Sequence, residues 1–303
     1  MMRRLVIIGM LSWQVLSAQQ DPMFNQYIFN SFTINAAEAG TRSIGTASIL
    51  HRWQWLGMEG APKTLSAGFE SPIGLSGWGV GLNIVSDEQG PERNQTVTLA
   101  GSHHIEISET YTLSAGLSFV ANGRRLNFGE LKDIYDPDDP ELSTVRTFNP
   151  NVGGGLLLFS ASNFIGAAVP RIVEYRLSEA DRPELHQLRH LFVYAGHIFE
   201  VNHDFWIKPS VLFKFVQGAP TGIDINAVVH FLKKFDLGVN FRTGDGIGFL
   251  AGFNIKDRLI VNYAYEVPIN NLRYGSLKSH ELGIRYLFGK GPDHAVDSPR
   301  FFN

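Results

Sequence analysis

Cysteine is missing from the 303-residue chain, which excludes disulfides, thiolate chemistry and cysteine-ligated zinc together. Charge is scarce at 18% of residues, and the 26 Lys and Arg nearly cancel the 29 Asp and Glu. With no long run of either sign, the electrostatic footprint of a nucleic-acid binder is absent. Beyond the first residues no stretch approaches 18 consecutive apolar positions, so a bundle of membrane helices is excluded. There is no Gly-x-Ser-x-Gly, no His-Glu-x-x-His and no phosphate-cradling loop, hence no local signature of an enzyme. A mean hydropathy of −0.04 still suits a membrane barrel, whose residues alternate between lipid and lumen.

What is present begins with an address. Met1-Met2-Arg3-Arg4 is a basic n-region, Leu5 to Leu16 an apolar h-region, and Ser17-Ala18 a small-residue cleavage site before Gln19. The first 18 residues therefore read as a signal peptide, followed by an N-terminal segment over 19–42. Length alone allows one large domain or two ordinary ones.

From residue 43 onward the apolar residues recur with period two. Leu259, Val261, Tyr263 and Tyr265 share one face, with Asn262, Ala264 and Glu266 on the other. Ile223, Ile225, Ala227, Val229 and Phe231 oppose Asp224, Asn226 and His230 in the same way. Such runs predict an all-β chain of about fourteen antiparallel strands over 43–55, 63–71, 78–86, 94–105, 110–121, 150–159, 162–170, 188–201, 204–216, 221–233, 235–244, 246–255, 257–267 and 278–288. Most are long enough to cross a hydrocarbon core at a tilt, whereas globular strands are usually shorter.

The connections alternate in length, as expected of an outer-membrane barrel with short periplasmic turns and longer external loops. Only the short gap at Asp245 breaks the alternation, and the odd gaps at Leu56–Pro62 and Gln217–Pro220 are shorter ones. Short links such as Ser160–Ala161, Asn202–His203, Lys234 and Lys256 follow even strands. Asp87–Arg93, Asn122–Asn149, Arg171–Gln187 and Pro268–Leu277 follow odd ones. Both ends of a barrel over 43–288 are then expected on the periplasmic side, with a periplasmic tail over 289–303. The last strand, His280 to Phe288, closes on an aromatic, as barrel-assembly signals do.

Several stretches resemble the PorP/SprF family of outer-membrane proteins of the type IX secretion system. They are Gln20-Asp21-Pro22-Met23-Phe24-Asn25-Gln26-Tyr27-Ile28-Phe29-Asn30, Ile34-Asn35-Ala36-Ala37-Glu38-Ala39-Gly40 and, most distinctively, Arg52-Trp53-Gln54-Trp55-Leu56-Gly57-Met58-Glu59-Gly60-Ala61-Pro62-Lys63-Thr64. Asp87-Glu88-Gln89-Gly90-Pro91, Phe148-Asn149-Pro150-Asn151-Val152-Gly153, Lys208-Pro209-Ser210 and Ser279-His280-Glu281 follow in order. Ala36 and Glu38 depart from the family's Pro and Tyr. The resemblance implies an outer-membrane barrel serving export and surface anchoring of large adhesin or gliding proteins. The implied partners are a secreted protein bearing a type B C-terminal domain and components of the secretion and motility apparatus. No cofactor is implied.

Candidate sites fall in three places. Asp21, Pro22, Phe24, Gln26, Tyr27 and Asn30 precede the first strand, where they would plug the periplasmic mouth or lumen or dock a periplasmic partner. Trp53, Trp55, Gly57, Gly60, Ala61 and Pro62 lie at the first external turn, and Gly60-Ala61-Pro62 recurs as Gly218-Ala219-Pro220. Paired rim turns contacting cargo is the functional reading. An interfacial aromatic girdle for the tryptophans and plain tight-turn chemistry for the repeats is the structural one. Asp133, Asp136, Asp138, Asp139 and Glu141 crowd one loop, but the glycine-bearing calcium-loop pattern is lacking, and Pro137 and Pro140 suit a solvated turn. The adjoining His103 and His104 point to opposite faces, poor geometry for a metal. The competing function is a channel for small solutes, with Lys208, Lys214, Asp224, Asn226, Asn240 and Arg242 lining the lumen.

Overall fold

The computed structural model describes residues 23–27, 29–74, 76–130, 144–177, 185–255, 258–270 and 277–289. The expected signal peptide, Asp21, Pro22, the acidic cluster from Asp133 to Glu141 and the tail past Gly289 lie outside the described residues.

The strands are β1 (Gly45–Leu56), β2 (Lys63–Ile73), β3 (Trp78–Gln89), β4 (Glu92–Glu106), β5 (Thr112–Leu126), β6 (Val145–Phe159), β7 (Asn163–Val169), β8 (Tyr175–Leu177), β9 (Leu185–Gln187), β10 (His190–His197), β11 (Phe199–Asn202), β12 (Phe205–Val216), β13 (Gly222–Phe231), β14 (Phe235–Arg242), β15 (Gly246–Ile255), β16 (Leu259–Pro268) and β17 (Lys278–Phe288). Every pairing is antiparallel between neighbours, and β1 pairs with β17 from Gly45↔Phe288 onward, so the sheet closes on itself. β10 and β11 are two pieces of one stave, joined at Ile198, whose N–H bonds Ser162. β8 and β9 form a separate hairpin, leaving a barrel of fourteen staves, the number the periodicity predicts.

Closure matters because lipid offers no hydrogen bonds: a barrel satisfies its backbone internally and has no open edge. Period two then separates two environments. Val80, Ile84, Leu99, Phe119, Val152, Leu237, Phe249 and Ile284 are exposed on the outer face, and Leu117 reaches 74% exposure. Between them Asn83, Ser102, Ser114, Asn151, Asp224, Asn240, Asn262 and Glu281 are buried. An apolar exterior over a polar interior is inside-out for a water-soluble protein and correct for a membrane barrel. At the closing seam the Phe288 ring lies across Gly45 and stacks on Phe69 at 5.4 Å between centroids.

The strands outrun the sequence reading at one end. Asp87–Arg93 is no loop: β3 and β4 continue to a turn at Gly90 and Pro91, and β5 and β6 reach Leu126 and Val145. Polar residues hid this extension, since past the apolar band the backbone ladder continues under side chains such as Asp87, Arg93 and Arg125, with Thr64 Oγ1 donating to Asp87 Oδ1. Arg171–Gln187 holds the β8–β9 hairpin. β1 also loses its alternation before Trp55, because the register shifts between Trp53 and Leu56 and Trp55 adopts φ 50°. The two tryptophans are therefore not consecutive members of one regular strand face, a bulge having turned the chain.

Candidate functional site in the barrel lumen

Residues 23–42 run through the barrel interior instead of leaving it hollow. Two single 3-10 turns, Ser31–Thr33 and Ala36–Glu38, shape the segment. The second is capped by its own Asn35, whose Oδ1 accepts from Ala37 N at 2.9 Å. Turns this short leave backbone groups unpaired, and the wall supplies partners. Ser114 Oγ donates to the Ala37 carbonyl and Ser102 Oγ to the Ala39 carbonyl, both at 2.6 Å. Asn35 Nδ2 donates to the Leu156 carbonyl at 3.1 Å and to Tyr194 Oη at 2.7 Å, and Tyr194 in turn donates to Glu38 at 2.6 Å.

The wall is also cut back to receive this segment. A Cβ on Gly79 would lie 2.2 Å from the Ala39 carbonyl oxygen, and one on Gly81 2.4 Å from the Phe32 ring. On Gly116 it would meet Ala37 N at 2.3 Å, and on Gly155 Asn35 Oδ1 at 2.1 Å. These four glycines occupy lumen-facing positions of β3, β5 and β6, so their missing side chains form the bed of the segment.

A second set of contacts holds residues 24–27 against the opposite wall. Glu281 accepts the backbone N–H of Asn25 at 2.7 Å and of Gln26 at 3.1 Å, and it pairs with Arg52. Arg52 reaches Glu266 at 2.9 Å. Arg242 donates to the Phe24 carbonyl at 3.0 Å and to Asp224 at 3.1 Å, with Lys214 on the other Asp224 oxygen at 2.8 Å. Asn240 donates to Asn226, which donates to Tyr27 Oη, each at 2.7 Å. Buried charges persist only when paired and hydrogen-bonded, and here cations and carboxylates alternate while the segment's own backbone bonds Glu281 and Arg242. Arg242 ends β14 beside the β14–β15 turn, and Gly79 begins β3, so the segment descends from the long-connection half of the barrel to its short-turn end.

Tyr27, Phe29 and Ile34 join Leu157, Phe164, Phe192 and Tyr194 in a buried cluster. A cavity of ≈ 100 Å³ remains between Met23, Phe24, Tyr27 and Phe32 and the wall residues Asn83, Thr98, Ser118 and Val120. Of the residues singled out from sequence, Phe24, Gln26 and Tyr27 are buried with their polar atoms turned to the wall, while Asn30 is half-buried and accepts from Thr33. The solute-channel set of Lys208, Asp224, Asn226, Asn240 and Arg242 faces inward but is almost wholly buried.

The rim turns are real and stand apart. Gly57, Gly60 and Gly218 take φ 103°, 69° and 80°, conformations that glycine adopts without strain. The Gly60 carbonyl accepts from Gly90 N at 2.9 Å, tying two neighbouring turns together. Around the sheet, β14 to β17 separate Gly60-Ala61-Pro62 from Gly218-Ala219-Pro220 on one side, and β3 to β7 with β10 on the other. The repeats therefore face each other across the mouth and do not form one patch. Sequence reasoning missed the glycine bed and the roles of Arg52, Glu266 and Glu281. The available signal was glycine recurring at inward positions of strands, where it weakens a sheet unless something must approach closely.

A closed fourteen-stave sheet with an apolar exterior and a polar, filled interior defines a multi-pass outer-membrane β-barrel. The toluene transporter TbuX of Ralstonia pickettii has a similar fold, with a TM-score of 0.51 and 12% identity over 86% of this chain and 93% of that one. So does the CymD monoaromatic hydrocarbon channel, with a TM-score of 0.50 and 10% identity over 90% and 94%. At these identities the likeness concerns the fold alone. No curated protein matches the sequence significantly. The family described as type IX secretion system membrane protein PorP/SprF matches residues 16–286, and the chain belongs to that family. It is an outer-membrane barrel associated with type IX secretion.

Proposed function

We propose that this barrel supports export and cell-surface anchoring of large adhesin or gliding proteins, receiving their C-terminal domain at the external rim while residues 23–42 seal its lumen. The observation that carries the reading is the seated segment: the wall gives up side chains at Gly79, Gly81, Gly116 and Gly155 to accommodate it. A lumen filled in this way closes the open water path of a porin and supports a barrel that keeps the membrane tight while it holds cargo, although gated transporters also carry plugs. A periplasmic partner would reach Phe24, Gln26 and Tyr27 only after the segment leaves the lumen, because those side chains are buried in the seated form.

Cargo contact is assigned to the facing turns Gly57–Pro62 and Gly218–Pro220, with Trp53 and Trp55 flanking the first. The double substitution Pro62→Ala and Pro220→Ala should lower the cargo retained on the cell surface while the barrel assembles normally. Unchanged retention, measured by surface proteolysis of the cargo, would remove the rim from the proposal. Steady conductance of the intact chain in planar bilayers would favour the solute channel instead.

A further inference from the structure

The outer face carries a row of three like charges of which, among the described residues, only the first has an acidic partner. Arg93 on β4 stands directly opposite Arg125 on β5, and Arg125 directly opposite Arg146 on β6. All three fall on lipid-side positions and are exposed. Like charges directly opposite across a ladder destabilise a sheet. Glu88 offers Arg93 a carboxylate at 3.8 Å, and among the described residues Arg125 and Arg146 have no acidic partner. The row lies just past the apolar band: Phe148, two residues along from Arg146 on the same face, is 67% exposed, and Val97 and Phe119 follow below.

We propose that Arg93, Arg125 and Arg146 form a docking row for the phosphorylated headgroup of a membrane lipid in the leaflet at the long-connection end. Guanidinium forks match phosphate oxygens bidentately, and adjacent strands about 4.8 Å apart let one phosphate bridge two of them. An anion between the arginines removes the repulsion that the ladder otherwise holds. Continuity with the lipid-facing band selects a lipid over a soluble anion, because acyl chains can lie on Phe148 and Phe119 while the phosphate meets the row.

The test uses the full chain, folded in phosphatidylcholine vesicles with or without phosphatidic acid, then extracted and weighed by native mass spectrometry. The intact protein should retain phosphatidic acid, and Arg125→Ala with Arg146→Ala should lower its affinity about tenfold or more, since each charge-assisted contact is strong. Arg125→Lys with Arg146→Lys should fall between, keeping charge without the fork. Lys233→Ala with Lys234→Ala, at the short-turn end, should retain lipid normally. Heat-modified gel mobility reports that each variant is folded. Equal retention by the alanine variant would overturn the proposal. So would binding of inorganic phosphate as tight as that of the lipid. Retention only after Asp136, Asp138 and Asp139 are changed to Asn would give the row to the chain's own acidic connection and also overturn it.

Discussion

Replacing Gly116 by valine should unseat the lumen segment while leaving the barrel intact. A Cβ at this position falls 2.3 Å from Ala37 N and 2.4 Å from the Ala36 carbonyl carbon, where ordinary contact begins near 3.4 Å. Both obstacles are backbone, so no rotamer change relieves the clash, and the segment must retreat by about 1 Å or leave. Overpacking of this kind costs about 1–3 kcal/mol, which shifts the balance between seated and released forms by roughly 5- to 150-fold. The strand itself is not weakened, because a β-branched residue suits a β position better than glycine. Planar-bilayer conductance reads the outcome: the parent chain should be silent and Gly116→Val should show openings. Gly101→Val is the matched control, since Gly101 faces lipid on β4 with nothing within 4 Å of its Cβ. A folded Gly116→Val barrel as silent as its parent would refute the packing of Ala36 and Ala37 on β5.

Other perturbations probe the wall and the upper contacts. Leu117→Arg puts a charge on a lipid-facing side chain that is 74% exposed, and should destabilise the barrel by about 2–4 kcal/mol in bilayer unfolding titrations. Glu281→Gln removes the carboxylate that takes two backbone N–H groups and one face of Arg52. It should cost about 3–5 kcal/mol in the same titration and increase proteolysis of the N-terminal segment. Asn226→Ala deletes the link between Tyr27 and Asn240 and should cost about 1–3 kcal/mol, seen as a lower denaturation midpoint.

The staves were legible because lipid and lumen impose opposite demands on alternate residues, a signal that composition cannot mask. Leu259 to Tyr265 and Ile223 to Phe231 show it without ambiguity. The strand ends above the apolar band were not, since Asp87, Arg93 and Arg125 alternate between two aqueous environments and carry no hydropathy contrast. The bulge before Trp55 escaped for a related reason: a register shift is a property of two strands, and β1 alone does not reveal where β17 pairs. The candidate site was visible only as a residue set. Asp224, Asn226 and Arg242 could be placed on the lumen face, yet their partners in Phe24 and Tyr27 lie about two hundred residues earlier in the chain. Gly116 and Gly155 read as soft points in strands until Ala37 and Asn35 are seen against them.

The seal is tested most directly by thiol accessibility, for which a chain without cysteine is ideal. Ser114→Cys is nearly isosteric and sits on the wall beneath the Ala37 carbonyl, where Ser114 is fully buried and bonded to the segment. In folded protein it should resist a small water-soluble maleimide, react once Gly116→Val is added, and contrast throughout with Gly218→Cys on the exposed turn. A Ser114→Cys thiol that reacts as fast as Gly218→Cys in the otherwise unaltered barrel would mean that the lumen is open.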